Sequence, residues 1–251
     1  MAAGLKGTVA LVTGASSGIG ETAARDLAAR GAAVALAARR TERLTALAAE
    51  ITAAGGTALV VEADLTEQEQ GQQAVDRTVQ AYGRLDILVN NAGFARRGPF
   101  VGASVADWER MVRTNVLGSL YCAHAALPHL LRAAEDELRS VADLVNVSSL
   151  SGRVVRKGSA VYNATKHAMN AYSESLRQEV AGRRVRVTLL EPAAVATELF
   201  PPEVRRRHVQ QDGAYQRLTP DDDADAILYI VTRPRHVAVS ELLVRPTEQE
   251  R

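Results

Sequence analysis

Tyr162 and Lys166 stand four residues apart in a stretch, 159–181, whose pattern predicts a long helix, so their side chains share one face a turn apart. A free phenol titrates near 10 and is a poor acid–base group at neutral pH; a neighbouring ammonium favours the phenolate, and lowering the phenol by ~3 units takes about 4 kcal/mol. A tyrosine tuned in this way can give a proton to an oxygen and take it back in the reverse direction. Ser149 lies thirteen residues before Tyr162. Its hydroxyl can hydrogen-bond the same oxygen.

The elements that must position these groups begin at residues 8–30, TVALVTGASSGIGETAARDLAAR. Val9, Ala10, Leu11 and Val12 are apolar on both faces and bounded by turn residues, which predicts a buried strand. Gly14, Gly18 and Gly20 then punctuate a turn in which the backbone can approach a ligand, and residues 21–30 continue as an alanine-rich helix. That helix points its free amide donors and the positive end of its dipole at the turn, a seat for a phosphate. The spacing is GxxxGxG, which differs from the GxGxxG dinucleotide fingerprint.

Further along, buried strands are expected at 32–38, 57–62, 85–90, 143–147, 184–191 and 241–244. Helices are expected at 41–54, capped by Thr41, and from the Thr66/Glu69 capping-box spacing to Gly83. Others run from Ser104 to about Leu131, with Pro128 weakening the last turn, and from Thr219 to Thr232 with Pro220 and Asp222 as cap residues. The segment 133–140, AAEDELRS, is expected as a solvated charged connector. Strands alternating with helices imply βαβ units: an α/β, doubly wound, seven-stranded, mostly parallel sheet with helices on both faces. Such a sheet binds ligands beyond the carboxyl ends of its strands at the switch point, here between strands one and four.

With 251 residues and no linker-like stretch, internal repeat or composition break, one domain is expected over 1–251. A net charge of +1 gives no general attraction to nucleic acid or to an anionic membrane, which leaves a small molecule as the partner. The single cysteine, Cys122, cannot form an internal disulfide, and in the run LYCAHAALPHLL it reads as a buried, inert thiol. No window approaches the ~20 apolar residues that span a bilayer, and the first residues lack an apolar leader core; a cytoplasmic location is expected. No metal-ligand cluster is expected.

TGASSGIG at 13–20, NNAG at 90–93, Asn115, Ser149 and the YNATK that holds Tyr162 and Lys166 resemble, in order and spacing, the short-chain dehydrogenase/reductase family. The resemblance runs from about residue 6 to the C-terminus. It implies a nicotinamide dinucleotide cofactor and hydride transfer at a carbonyl, with Ser149, Tyr162 and Lys166 catalytic, Lys166 also gripping the nicotinamide ribose, and Asn115 holding a water that links Lys166 to solvent. It also implies that Ser16, Ser17 and Ile19 line the pyrophosphate, Asp64 and Leu65 hold the adenine, and Asn91, Ala92 and Gly93 run under the ribose. After strand six the family usually has Pro-Gly; here the chain reads Glu191, Pro192, Ala193, Ala194, Val195. Alanine at 193 loses freedom at φ > 0, which puts the loop's path in doubt, while Pro192, Val195 and Thr197 stay as nicotinamide contacts.

The position just after strand two decides the dinucleotide. It holds Arg39 and Arg40, with no acid until Glu42, and arginine meets a 2′-phosphate where a carboxylate would repel it. NADP(H) is the expected cofactor. Phe94, Leu150, Val155, Leu199 and Phe200 are the candidate substrate contacts, with a lid over 193–218. Arg96, Arg97, Arg153, Arg156 and the run 205–207 could meet an acidic substrate, although charge runs are ordinarily solvated faces.

Several stretches look most like the branch holding clavulanic-acid-type aldehyde reductases and hydroxy-acid or carbonyl reductases. The expected activity is NADP(H)-dependent oxidoreduction of a small ketone, aldehyde or secondary alcohol. A 3-oxoacyl-thioester reductase would share every catalytic residue, and an inactive dinucleotide-binding sensor or structural subunit is the alternative of another class. A homo-oligomer, tetramer or dimer, follows from the resemblance, with Val112, Val116, Leu120, Ala168 and Leu176 compatible with an interface.

Overall fold

In the computed structural model, which describes residues 4–199 and 215–249, the central strand is β1 (Val9–Thr13), buried along its whole length. β2 (Ala33–Ala38) and β4 (Ile87–Asn90) pair with it on either side. β3 (Thr57–Glu62) lies outside β2, and β5 (Ala142–Val147), β6 (Val185–Pro192) and β7 (Glu241–Val244) follow β4 outward. The order β3-β2-β1-β4-β5-β6-β7 is parallel at every pair. The topology reverses direction between β1 and β4, which opens the expected crevice above their carboxyl ends.

Alternate strand residues face opposite layers. Ala10, Val12, Val34, Leu36, Ile87 and Val89 pack with α1 (Gly18–Ala29), α2 (Thr41–Ala53) and the final helix α7 (Pro220–Val231). Val9, Leu11, Ala35, Leu88 and Leu144 pack with α3 (Gln68–Tyr82) and α5 (Gly118–Glu135) on the other face. α4 (Val105–Val112) and α6 (Ala160–Val180) are the remaining described α-helices. The result is a single Rossmann-like α/β domain. Among the described residues no helix is long and apolar enough to cross a membrane.

Several local expectations are corrected. Thr41 is the first residue of α2 and not its cap, because Arg40 takes the flanking position. The Thr66/Glu69 box does not form: the Asp64 carboxylate accepts both the Thr66 amide at 3.1 Å and its hydroxyl at 2.9 Å. Thr219 does cap α7, its amide donating to Asp222 Oδ2 at 2.7 Å. α5 runs past Pro128 to Glu135, since burial of Leu130, Ala133 and Ala134 outweighs the one lost backbone donor. The segment after it is anchored rather than merely solvated, with Arg139 donating to Asp143 at 2.8 Å.

Candidate active site

Gly14 and Gly18 sit at φ +66° and +58°, a left-handed backbone that a side chain would strain. A Cβ on Gly14 would stand 2.9 Å from Ala92 Cα, so β1's turn presses directly on the Asn91–Ala92 backbone above β4. Thr13 ties the two strand ends: its hydroxyl accepts the Asn91 amide at 2.9 Å and the Ala92 amide at 3.1 Å. Asn91 returns Nδ2 to the Thr13 carbonyl at 3.0 Å. Above this seam opens a cleft of ≈ 510 Å³, a size ordinary for a small-molecule site.

One end of the cleft gathers Gly14, Ser16, Ser17, Gly18 and Ile19 with Arg39, Arg40, Asp64, Leu65, Asn91, Ala92 and Gly93. Gly20 lies below, packed against Asn91 and Gly14. Arg40 spreads over the turn, donating Nε to Ser16 Oγ at 3.0 Å and Nη2 to Ser17 Oγ at 2.6 Å. Its Nη1 donates to Glu198 at 2.9 Å, and Arg43 reaches the same carboxylate at 2.8 Å. These two cations hold the Glu198 carboxyl below its usual range. Arg39 stands 3.8 Å from Asp64. The sequence reading missed Glu198 and Arg43, partners more than 150 positions apart with no local signal to join them.

The other end holds Ser149, Leu150, Tyr162 and Lys166 with Phe94 and Leu199. Ser149 lies two residues past β5 in extended conformation, and its Oγ accepts the Ser151 amide at 3.1 Å. Ser148 turns away, donating to Asn170 Oδ1 at 2.7 Å, in keeping with a supporting role. Lys166 Nζ donates to the Val147 carbonyl at 2.9 Å and lies 5.9 Å from the Tyr162 ring centroid. Burial lowers the Lys166 ammonium to about 7 and raises the Tyr162 phenol. Against that rise work a hydrogen bond with Ser149 and the charge of Arg97. The sequence reading gave the charge role to Lys166, whose Nζ is this near the ring; the charge of Arg97 is a second one acting on the same phenol.

Asn115 sits in a π-helical turn, Arg113–Leu117, between α4 and α5, and is fully buried. Its Oδ1 accepts the Phe94 amide at 2.8 Å and its Nδ2 donates to the Phe94 carbonyl at 2.9 Å and to Thr165 Oγ1 at 3.1 Å. The side chain therefore pins the loop after β4. Cys122 is buried, its thiol pushed up to about 12.

Pro192, Ala193, Val195 and Thr197 line the cleft between its two ends. Ala193 has no positive φ; its amide donates to the Val244 carbonyl at 2.9 Å, so the β6–β7 ladder carries the loop without the family's glycine. Gln249 of the polar tail also lines the cleft and accepts the Ala194 amide at 3.3 Å. Val155 is 72% exposed and outside the cleft lining, because the turn 153–158 points it to solvent. Phe200 and the run 205–207 lie outside the described residues, as does the middle of the expected lid. Among the described residues no group of three or more His, Cys, Asp or Glu could hold a metal ion.

The family model for short chain dehydrogenase matches residues 8–207. An uncharacterized oxidoreductase from Staphylococcus aureus (strain USA300) is 37% identical over 241 residues, covering 95% of this chain and 96% of the relative. Among solved structures, a short chain dehydrogenase from Burkholderia cenocepacia J2315 in complex with NADP superposes with a TM-score of 0.85 at 29% identity, over 96% of this chain and 97% of that one. A metagenomic short-chain oxidoreductase in complex with NADP gives a TM-score of 0.81 at 34% identity, over 97% and 98%. The glycine turn pressed against the Asn91 seam and the buried Ser149, Tyr162 and Lys166 thus belong to a chain that is an oxidoreductase of the short-chain dehydrogenase family.

Proposed function

We propose that this protein is an NADP(H)-dependent reductase of a small ketone or aldehyde, with Tyr162 as general acid and base. The observation that carries the reading is the convergence of Ser149, Tyr162 and Lys166 at one end of a cleft whose other end is a glycine turn crossed by Arg40. The residues fit a phosphorylated dinucleotide: the Gly14 turn leaves no room for a Cβ, and Arg39 and Arg40 offer cationic donors beyond β2. Two solved relatives carry NADP in their complexes.

The bound dinucleotide supplies the hydride. Ser149 Oγ, fixed by the Ser151 amide, donates to the substrate oxygen. Tyr162 gives that oxygen its proton in reduction and removes it in oxidation. Lys166 in its charged form favours the phenolate that remains and holds the cofactor ribose. Leu150, Leu199 and Phe94 keep water from the reacting carbon. Asn115 acts as a positioning residue through the Phe94 backbone.

A homo-oligomer accompanies this reading, with Val112 and Leu120 exposed on α4 and α5. Sedimentation giving only a monomer would remove it. The activity itself is tested by NADPH consumption, with NADH in parallel, across aldehydes, ketones, oxo acids and a 3-oxoacyl thioester, using Tyr162→Phe as the blank. Turnover that prefers NADPH and falls by about a hundredfold or more in the variant supports the reading. Cofactor binding with no turnover on any carbonyl would instead favour a sensor.

A further inference from the structure

Arg39, Arg40 and Arg43 lie where β2 passes into α2, and Arg40 and Arg43, three apart at the first turn of that helix, share a face. Each of the three ends on a carboxylate that lines the cleft. Arg39 stands 3.8 Å from Asp64. Arg40 and Arg43 converge on a single oxygen, Glu198 Oε2, donating Nη1 at 2.9 Å and 2.8 Å. Glu198 comes from the loop after β6, between Thr197 and Leu199, which also line the cleft. Two cations aimed at one point make a seat for an anion, and here the anion is a side chain of the protein itself.

Each of the three guanidinium nitrogens of Arg40 is engaged: Nε with Ser16, Nη2 with Ser17 and Nη1 with Glu198. Two of these partners are neutral hydroxyls on the glycine turn, and the third is charged. The two cations hold the Glu198 carboxyl below its usual range, so it is ionised at neutral pH. A phosphate that draws on Arg40 and Arg43 meets like charge there and binds fully only as Glu198 gives way. Giving way is easy, because the Glu198 side chain is 46% exposed and can turn to water. A phosphate monoester carries a charge of about −1.5 to −2 at pH 7 against the carboxylate's −1, so it prevails. A ribose hydroxyl has no charge and leaves Glu198 on its arginines.

We infer that Glu198 competes with the 2′-phosphate of the cofactor for Arg40 and Arg43, and is thereby a specificity-determining residue that narrows the preference for NADP(H) over NAD(H). This rests on the NADP(H) reading above and deepens it. Removing the charge of Glu198 frees both guanidinium groups. An exposed pair of this kind is worth up to about fivefold, so two of them together are worth on the order of tenfold in affinity for the phosphate.

The test needs no turnover. Binding of adenosine 2′,5′-bisphosphate and of adenosine 5′-monophosphate to the full chain is measured by calorimetry, for wild type and for Glu198→Gln. The variant is expected to bind the bisphosphate about tenfold more tightly and the monophosphate within about twofold of wild type. Glu42→Gln removes the same charge from an exposed position between Arg40 and Arg43 and should leave both affinities unchanged. In an Arg40→Gln, Arg43→Gln background, adding Glu198→Gln should gain less than about twofold. Unchanged bisphosphate binding in Glu198→Gln overturns the inference. Weaker binding overturns it as well, and makes Glu198 a brace that holds Arg40 in place. An equal gain in Glu42→Gln, or a gain that persists without the two arginines, reduces the effect to the general field of the protein and also overturns it. Wild type that prefers the bisphosphate, with no gain in Glu198→Gln, removes the inference and keeps the NADP(H) reading. Two nucleotides bound alike by both proteins remove the reading and the inference together.

Discussion

Lys166 spends its ammonium on the main chain of a neighbouring element, donating to the Val147 carbonyl at 2.9 Å at the carboxyl end of β5. That bond fixes α6 against the strand that delivers Ser149, so the hydroxyl and the phenol meet over one oxygen. It also buries a cation, and burial lowers Lys166 to about 7.

From this follows a stability cost that can be measured. The native state binds fewer protons at Lys166 than the unfolded chain between pH 7 and the ordinary value of 10.5, so stability rises with pH across that window. Below pH 7 the full cost is present. Lys166→Met should abolish turnover yet raise Tm by a few degrees at pH 6–7, the gain shrinking toward pH 10. A difference that stays flat over that range in thermal melts would show that the lysine is not desolvated.

Asp223 in the first turn of α7 is fully buried, and its two carboxylate oxygens make no hydrogen bond. Burial, with Asp222 beside it, raises it to about 7. Here the native state binds more protons than the unfolded chain between the ordinary value of 3.8 and 7, so stability is lost as pH rises through that window. Asp223→Asn should stabilise the protein at pH 8 by about 2–4 kcal/mol and by little near pH 4. Denaturant titrations at the two pH values giving equal gains would contradict this.

Arg40 donates to Ser16 and Ser17 and shares Glu198 with Arg43. Arg40→Gln is expected to weaken NADPH by ten- to a hundredfold while changing NADH by less than threefold, read from KM for each cofactor. Equal losses for both would place Arg40 on the shared diphosphate instead of the 2′-phosphate.

Arg153, in the turn after β5, supports a buried carboxylate of β6. Glu191 is fully buried and depends on Arg153 Nε at 2.6 Å and Asn170 Nδ2 at 2.8 Å, so Arg153→Met leaves a carboxylate short of its cation. The cost is about 2–3 kcal/mol, reduced from the fully buried case because Arg153 is partly exposed. Chemical denaturation of the variant against wild type decides it, and a neutral Arg153→Met would show that Asn170 alone satisfies Glu191.

The sequence by itself determined what rests on local periodicity and short spacing. Apolar runs of strand length, alternating with helical stretches, set the parallel sheet; Gly14 and Gly18 set the turn; the interval from Tyr162 to Lys166 set a shared helix face. A buried parallel strand and a helix turn each carry their signal within a few residues, so one chain was enough to read them. Only the tertiary structure decided which charges face which. Whether Arg97 or Arg153 enters the cleft depends on a seam between Gly98 and Gly158 and on a carboxylate at the end of β6. Glu198 meets Arg40 from the far part of the chain, Asn115 spends its amide on Phe94 through a π-helical turn, and Lys166 loses its solvent because β5 closes over it. Burial and long-range electrostatics are properties of the packed molecule, set by the register of distant elements, and no window of the sequence contains them.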